Sequence, residues 1–310
     1  MNCKEITYKN YGRCLEMTNG TVELVVTLDL GPRIIRYGFC GKDNMLYEDI
    51  ARESRYEKED LKEMFGEKAV WYNYGGHRLW IAPETTETYF PDNNPVDYEI
   101  SEEDNTVYFS CDIQEQTGLQ FTTVVTLQPE GSDVKITHFI TNCSGESLKF
   151  APWAITVLDR GGVEIIPWND TDTVLLPNRT VRAWPYTNFA DHRLNMGKKF
   201  MTLSSDTTDQ AIKLGVDLEK GTVAYVNKGM MFVKSFRHYP DTEYPDNGCS
   251  LETYTCKIFL ECETLGEYGS KPDGSTVSHT EYWSLYDNVT LKDPRDEAEL
   301  EKLFDEHDLI

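Results

Sequence analysis

Apolar residues recur at every second position along much of this chain, and that spacing restricts the fold more than any other feature. Val22, Leu24, Val26 and Leu28 fall on one side of an extended segment. Val107, Phe109, Cys111 and Ile113 do the same, as do Phe121, Thr123, Val125 and Leu127, and Val134, Ile136, His138 and Ile140. A period of two is the mark of a half-buried antiparallel strand, with alternate side chains facing core and solvent. Turn-forming stretches separate the segments at Pro129–Gly131, Asn142–Gly145, Gly161–Gly162 and Pro272–Gly274. Helix signals are few. Glu53–Glu67 is charged enough for a short surface helix, and Asp296–Glu306 carries one apolar stripe of Leu300, Leu303 and Phe304. Many short strands with few helices predict an all-β sandwich or barrel. With no internal repeat, linker or low-complexity tract, the expectation is a single domain over residues 1–310, ending in a helix at about 296–306.

Charge narrows the ligand classes. A formal net charge of -23 repels phosphate backbones and anionic membranes, so neither nucleic acid nor a membrane surface is an expected partner. The residues Met1–Arg13 lack the apolar stretch of a signal peptide, and no apolar run reaches the roughly 20 residues that cross a bilayer. A cytoplasmic location follows as an expectation. The eight cysteines are scattered without a C-x-x-C pair, which predicts reduced thiols and no zinc site. No phosphate loop or metal-ligand spacing is present, so no cofactor is expected.

Four segments crowd polar and aromatic residues together. In Tyr74–Glu84, two glycines permit a tight turn or a close approach to a ligand. His77 can act as acid or base near neutral pH, Arg78 offers a donor fork, Trp80 a flat apolar face and Glu84 a carboxylate. The segment Phe150–Thr156 centres on Trp153, either a sugar platform or a core residue. In the third, Trp184 and Tyr186 stand near Asp191 and Arg193, as in a sugar-binding loop or a loop held by ion pairs. The fourth runs from Tyr244 through Glu252 to Glu263. There Ile258, Leu260 and Cys262 share one strand face, while Phe259, Glu261 and Glu263 share the other. Two carboxylates side by side repel, and burial raises a carboxyl pKa toward a useful range, so this pair is a candidate for proton transfer. His138 and His279 lie in phase with apolar neighbours and read as core histidines.

At these residues the chain resembles a known family. Gly75–Trp80 with Ala82–Glu84, Ala151–Thr156, Tyr244–Asp246 with Leu260–Gly266, Gly31–Ile34, and Ser278–Glu281 with Trp283 carry the likeness, over about residues 5 to 288. They resemble a bacterial domain family without an assigned reaction, placed in the galactose mutarotase-like, or aldose 1-epimerase-like, superfamily. The resemblance implies a β-supersandwich with a few short peripheral helices and a sugar cleft on one sheet. It also implies an isomerase acting at the anomeric centre of a sugar. A glutamate takes the anomeric proton, a histidine protonates the ring oxygen, and an arginine and an aspartate hold hydroxyls. On this chain Glu261 is similar to the catalytic glutamate, with Glu263 as alternative, Arg78 to the arginine and Asp191 to the aspartate. Trp153 stands where the epimerases carry their acid histidine, which leaves His77 as the expected proton donor. Trp80, Glu84, Trp153, Arg193, Tyr244 and Glu252 are expected to line the substrate.

Two other activities fit the same residues. One is a non-catalytic carbohydrate-binding or sensing protein. The other is a polysaccharide lyase or glycoside-processing enzyme, with Arg78 and Arg193 neutralising a uronate and Tyr244 or His77 as base. In each case the expected partner is a small sugar or oligosaccharide, and the chain is expected as a monomer or homodimer.

Overall fold

A computed structural model describes residues 1–310. Two large antiparallel sheets pack face to face. The first begins with an N-terminal meander, Asn2–Thr7, Arg13–Thr18, Val22–Thr27 and Ile34–Phe39. It continues through Gly76–Ala82, Leu148–Asp159, Phe259–Leu265, Leu251–Thr255 and Ile212–Val216 to Val181–Ala183. The second runs Leu194–Met196, Phe200–Ser204, Val163–Pro167, Thr222–Asn227, Met230–Phe236, Thr276–Asp287, Val134–Asn142, Leu119–Leu127, Thr106–Ser110 and Asp97–Ser101.

The alternation read from the sequence is the packing pattern. Leu24, Val26, Val107, Phe109, Val125, Leu127, Val134 and Ile136 all enter one core between the sheets, joined there by Leu260, Cys262, Trp283 and Leu285. Two expectations need correction. Ile113 lies beyond the end of its strand, which stops at Ser110, and is exposed. Ile258 precedes the strand Phe259–Leu265 and packs with the outer cluster, apart from Leu260 and Cys262. The helix expected over Glu53–Glu67 is confined to Glu59–Phe65. The C-terminal helix, Glu297–Glu306, forms where expected. Asp296 caps it by accepting from the amides of Ala298 and Glu299, and Leu300, Leu303 and Phe304 bury its stripe on the outer face of the second sheet. No helix is long and apolar enough to cross a membrane.

The core between the sheets also holds charge. Lys234 and Glu281, both inaccessible, pair at 2.9 Å. Lys234 Nζ also donates to the Cys262 carbonyl in the opposite sheet at 3.0 Å. Trp283 Nε1 donates to Glu281 Oε2 at 3.0 Å, and Thr264 donates to its other oxygen. Lys234 and Glu281 thus each have partners, which is the condition under which a buried ion pair is tolerated. Glu164, inaccessible in the same core, has none, and burial raises its pKa to about 7.

Candidate functional site

The outer face of the first sheet carries the second aromatic cluster, including Trp71, Trp80, Trp153, Ile155, Val157 and Phe259. Residues 54–56, 71–73 and 84–89 lie over this face and close a hollow of about 390 Å³. Arg78, Trp80, Trp153, Lys213, Tyr254 and Glu261 line its floor, with Tyr56, Trp71, Glu84 and Tyr89 contributed by the cover.

Strand register explains the arrangement. Arg78 pairs with Ile155, Ile155 with Glu263, and Glu263 with Glu252, which puts these residues in one row across four strands. In the next row Val157 pairs with Glu261, Glu261 with Tyr254 and Tyr254 with Lys213. Arg78 Nη2 reaches diagonally to Glu261 Oε1 at 3.2 Å. Its guanidinium lies between the rings of Trp71 and Trp80, 5.1 and 4.5 Å from their centroids. Burial works against the charge on Arg78 and lowers its pKa, while Glu261 pulls the other way. Arg78 Nε and Nη1 and Trp71 Nε1 are buried without a protein acceptor.

Lys213 is the second cation of the face. Its Nζ lies 2.9 Å from Glu252 Oε2 and 3.1 Å from Glu263 Oε2, and Trp153 Nε1 donates to the same Glu263 oxygen at 2.9 Å. Burial opposes the charge on Lys213, yet Glu263 and Glu252 together hold its pKa well above the ordinary lysine value. Burial pushes both glutamates up; Lys213 draws each down without offsetting it, because one ammonium serves two carboxylates.

The sequence-derived candidates therefore separate into groups. Arg78, Trp80, Glu84, Trp153 and Glu261 meet in the hollow. Glu263 is fully buried beneath it, behind Trp153 and Lys213, so it is a positioning residue for the floor. Glu252 opens on an adjoining hollow. His77 does not reach the site. It neighbours Arg78 on a strand and so points the opposite way, into the core between the sheets. There its Nδ1 meets Thr156 Oγ1 and its Nε2 meets His138 Nε2, both at 2.8 Å, and burial drives its pKa far below the ordinary value. A proton donor for the cleft is therefore not His77. Asp191 and Arg193 bond each other at 2.9 and 3.0 Å, and Arg193 also donates to the backbone of Thr208 and Gln210. They brace a loop and line neither hollow. Tyr244 faces a separate depression, accepts from the Tyr239 amide at 2.8 Å and stacks on His238.

Sequence reasoning missed Lys213, Trp71, Tyr89 and Tyr254. Lys213 alternates with Ile212, Leu214 and Val216 and reads as an ordinary solvent-facing lysine. His77, His138 and Glu281 are the one group spaced to ligate a metal ion, but Glu281 already holds Lys234 and Trp283.

By sequence, the chain matches no protein-family model and no curated protein. Among solved structures it is similar to a galactose mutarotase-like protein from Lactobacillus casei, at 11% identity and a TM-score of 0.56 over 88% of this chain and 100% of that one. A galactose mutarotase-like protein from Clostridium acetobutylicum aligns at 12% identity and TM-score 0.52, covering 93% and 99% of the two chains. A candidate aldose 1-epimerase from Klebsiella pneumoniae aligns at 11% and 0.58, covering 98% and 86%. At such identities the likeness is one of architecture, and the chain has the galactose mutarotase-like fold.

Proposed function

We propose that this protein binds a sugar in the Arg78–Glu261 hollow and interconverts its anomers by proton transfer. The observation that carries the reading is the row Glu261–Tyr254–Lys213. A carboxylate and an ammonium stand on either side of Tyr254 and line the same cavity. Two strand spacings separate their backbones by roughly 10 Å, which leaves room for a pyranose lying across Tyr254. Glu261 takes the proton from the anomeric hydroxyl. The bond from C1 to the ring oxygen breaks, its electron pair goes to that oxygen, and C1 becomes an aldehyde carbon. Lys213 supplies the proton that the ring oxygen accepts. Rotation about the C1–C2 bond and the reverse sequence give the other anomer. Arg78 orients Glu261, and the buried indoles of Trp80 and Trp153, packed against Arg78 and Lys213, back the floor on which the ring rests.

A second reading is a binding protein without catalysis. The contact between Arg78 and Glu261 favours it, since one oxygen of the carboxylate is already engaged by the guanidinium. NMR exchange between anomers on a panel of aldoses distinguishes the two. Catalysis predicts acceleration by the native protein and a loss of roughly 10²–10⁴-fold in Glu261→Gln. Sugar binding by calorimetry with no exchange above buffer supports the second reading and ends the first.

A further inference from the structure

Beside the Arg78–Glu261 hollow lies another of about 440 Å³. The two share Tyr56, Glu84, Tyr89, Trp153 and Lys213 in their linings, so they adjoin along these residues. Each alone is of a size that encloses a small ligand. We propose that the cleft holds two linked sugar residues and that its ligand is a neutral reducing disaccharide or longer oligosaccharide. The proposal rests on the sugar reading above and adds the size and charge of the ligand.

The second hollow has the chemistry for another sugar ring. Trp184 stands half-buried on its rim and offers an aromatic face. Glu252 is almost completely buried, yet its Oε1 has no donor within the protein, leaving an acceptor for a hydroxyl. Asp246 adds another acceptor. The Lys213 ammonium lies between the rings of Trp153 and Trp184, 4.6 and 4.8 Å from their centroids, at the junction that a glycosidic oxygen would cross. Charge selects against a phosphorylated or uronate second residue. Glu84 and Asp246 balance Lys58 and Lys213 around this hollow, burial raises Glu252 to about 8, and the net charge of -23 over the chain repels an anion. With the reducing ring over Tyr254, where Glu261 and Lys213 meet C1 and the ring oxygen, the second residue falls beyond Lys213, in the hollow rimmed by Trp184 and Asp246.

Calorimetric titration of the intact protein with glucose and galactose, and with maltose, cellobiose and lactose, tests this. At least one disaccharide is expected to bind about tenfold more tightly than its constituent monosaccharides, the gain from one added aromatic-faced subsite. Trp184→Ala should remove most of that gain and weaken monosaccharide binding several-fold less. Asp246→Asn, which keeps a residue type suited to the left-handed backbone at this position, is the independent check, with thermal melts verifying the fold. Equal affinities for both ligand sizes, or equal losses for both in Trp184→Ala, overturn this proposal and leave the sugar reading standing. Failure of every sugar to bind overturns both.

Discussion

Replacing Lys213 by methionine isolates the electrostatics of the cleft floor. Methionine keeps the length and apolar stem of lysine but removes the charge that both Glu252 and Glu263 face. These glutamates are cross-strand partners, each almost entirely inaccessible, so at neutral pH the variant contains two adjacent buried carboxyls with no counter-charge. Removing one partner of a buried ion pair costs about 3–5 kcal/mol. For a chain of this length that is a fall in melting temperature of roughly 5–10 °C. The pH dependence is the sharper readout. Burial already raises both glutamate pKa values above the usual carboxylate range, and losing Lys213 raises them further. A group whose folded pKa is raised stabilises the fold in its protonated form, so the penalty of the variant should shrink as pH falls from 8 to 5. Restoring charge balance with Glu263→Gln in the same background should recover much of the loss at pH 8. Urea unfolding of the native, single and double variants across this range measures each quantity. A Lys213→Met penalty below about 1 kcal/mol, or one unchanged between pH 8 and 5, refutes the picture of one ammonium holding two buried acids.

Three other outcomes follow from the core between the sheets. Burial pushes the pKa of His138 down to about 3 and that of His279 to about 4, so both are neutral when folded and take up protons on unfolding. Their contribution is complete above pH 6.5 and is lost as pH falls toward those values, at roughly 1.4 kcal/mol per pH unit for each group. A urea midpoint that stays flat between pH 6.5 and 4.5 contradicts this. Burial alone would raise Glu281, but Lys234 and the surrounding histidines hold it well below the usual carboxylate range. Its share of the stability is present above about pH 4.5 and disappears below it, so acid unfolding of Glu281→Gln should show a shallower slope there than the native chain. His77→Gln should cost about 1–3 kcal/mol by disturbing the partners of Thr156 and His138. It should leave sugar affinity within twofold of native, a result opposite to that expected of a catalytic acid.

Much of the fold was legible because a half-buried strand writes its orientation into alternate residues. Val134 and Ile136, or Leu260 and Cys262 against Glu261, need no knowledge of the partner strand to be assigned a face. The terminal helix was legible for a similar reason, with a cap at Asp296 and one apolar stripe. The site was read less well. Gly75 and Gly76 suggested a turn, and in a turn His77 and Arg78 can face the same ligand. Gly76 instead begins a strand, where its left-handed backbone brings it against the Ile34 carbonyl. In that strand His77 is in phase with core-facing Leu79, and Arg78 with Trp80. Alternation carried this information, but the glycines concealed that the rule applied. Lys213 was hidden for another reason. An alternating lysine looks the same in sequence whether its face meets water or a covered cleft, and only the cover residues Tyr56, Trp71 and Tyr89 distinguish the two. The resemblance matched Asp191 to the sugar-binding aspartate by chain order and loop context alone, which carry no geometric information, and it braces a loop instead.

Arg78, Lys213, Glu252, Glu261 and Glu263 stand on hydrogen-bonded strands, whereas Trp184 and Tyr186 stand on a loop and Tyr56, Glu84 and Tyr89 belong to the cover. Sheet register holds the first set at fixed spacing, and moving one member would disturb a whole ladder. The second set is free to vary with little strain. A lineage could therefore exchange one saccharide for another by altering the rim alone, while the ionic floor passes unchanged from one specificity to the next.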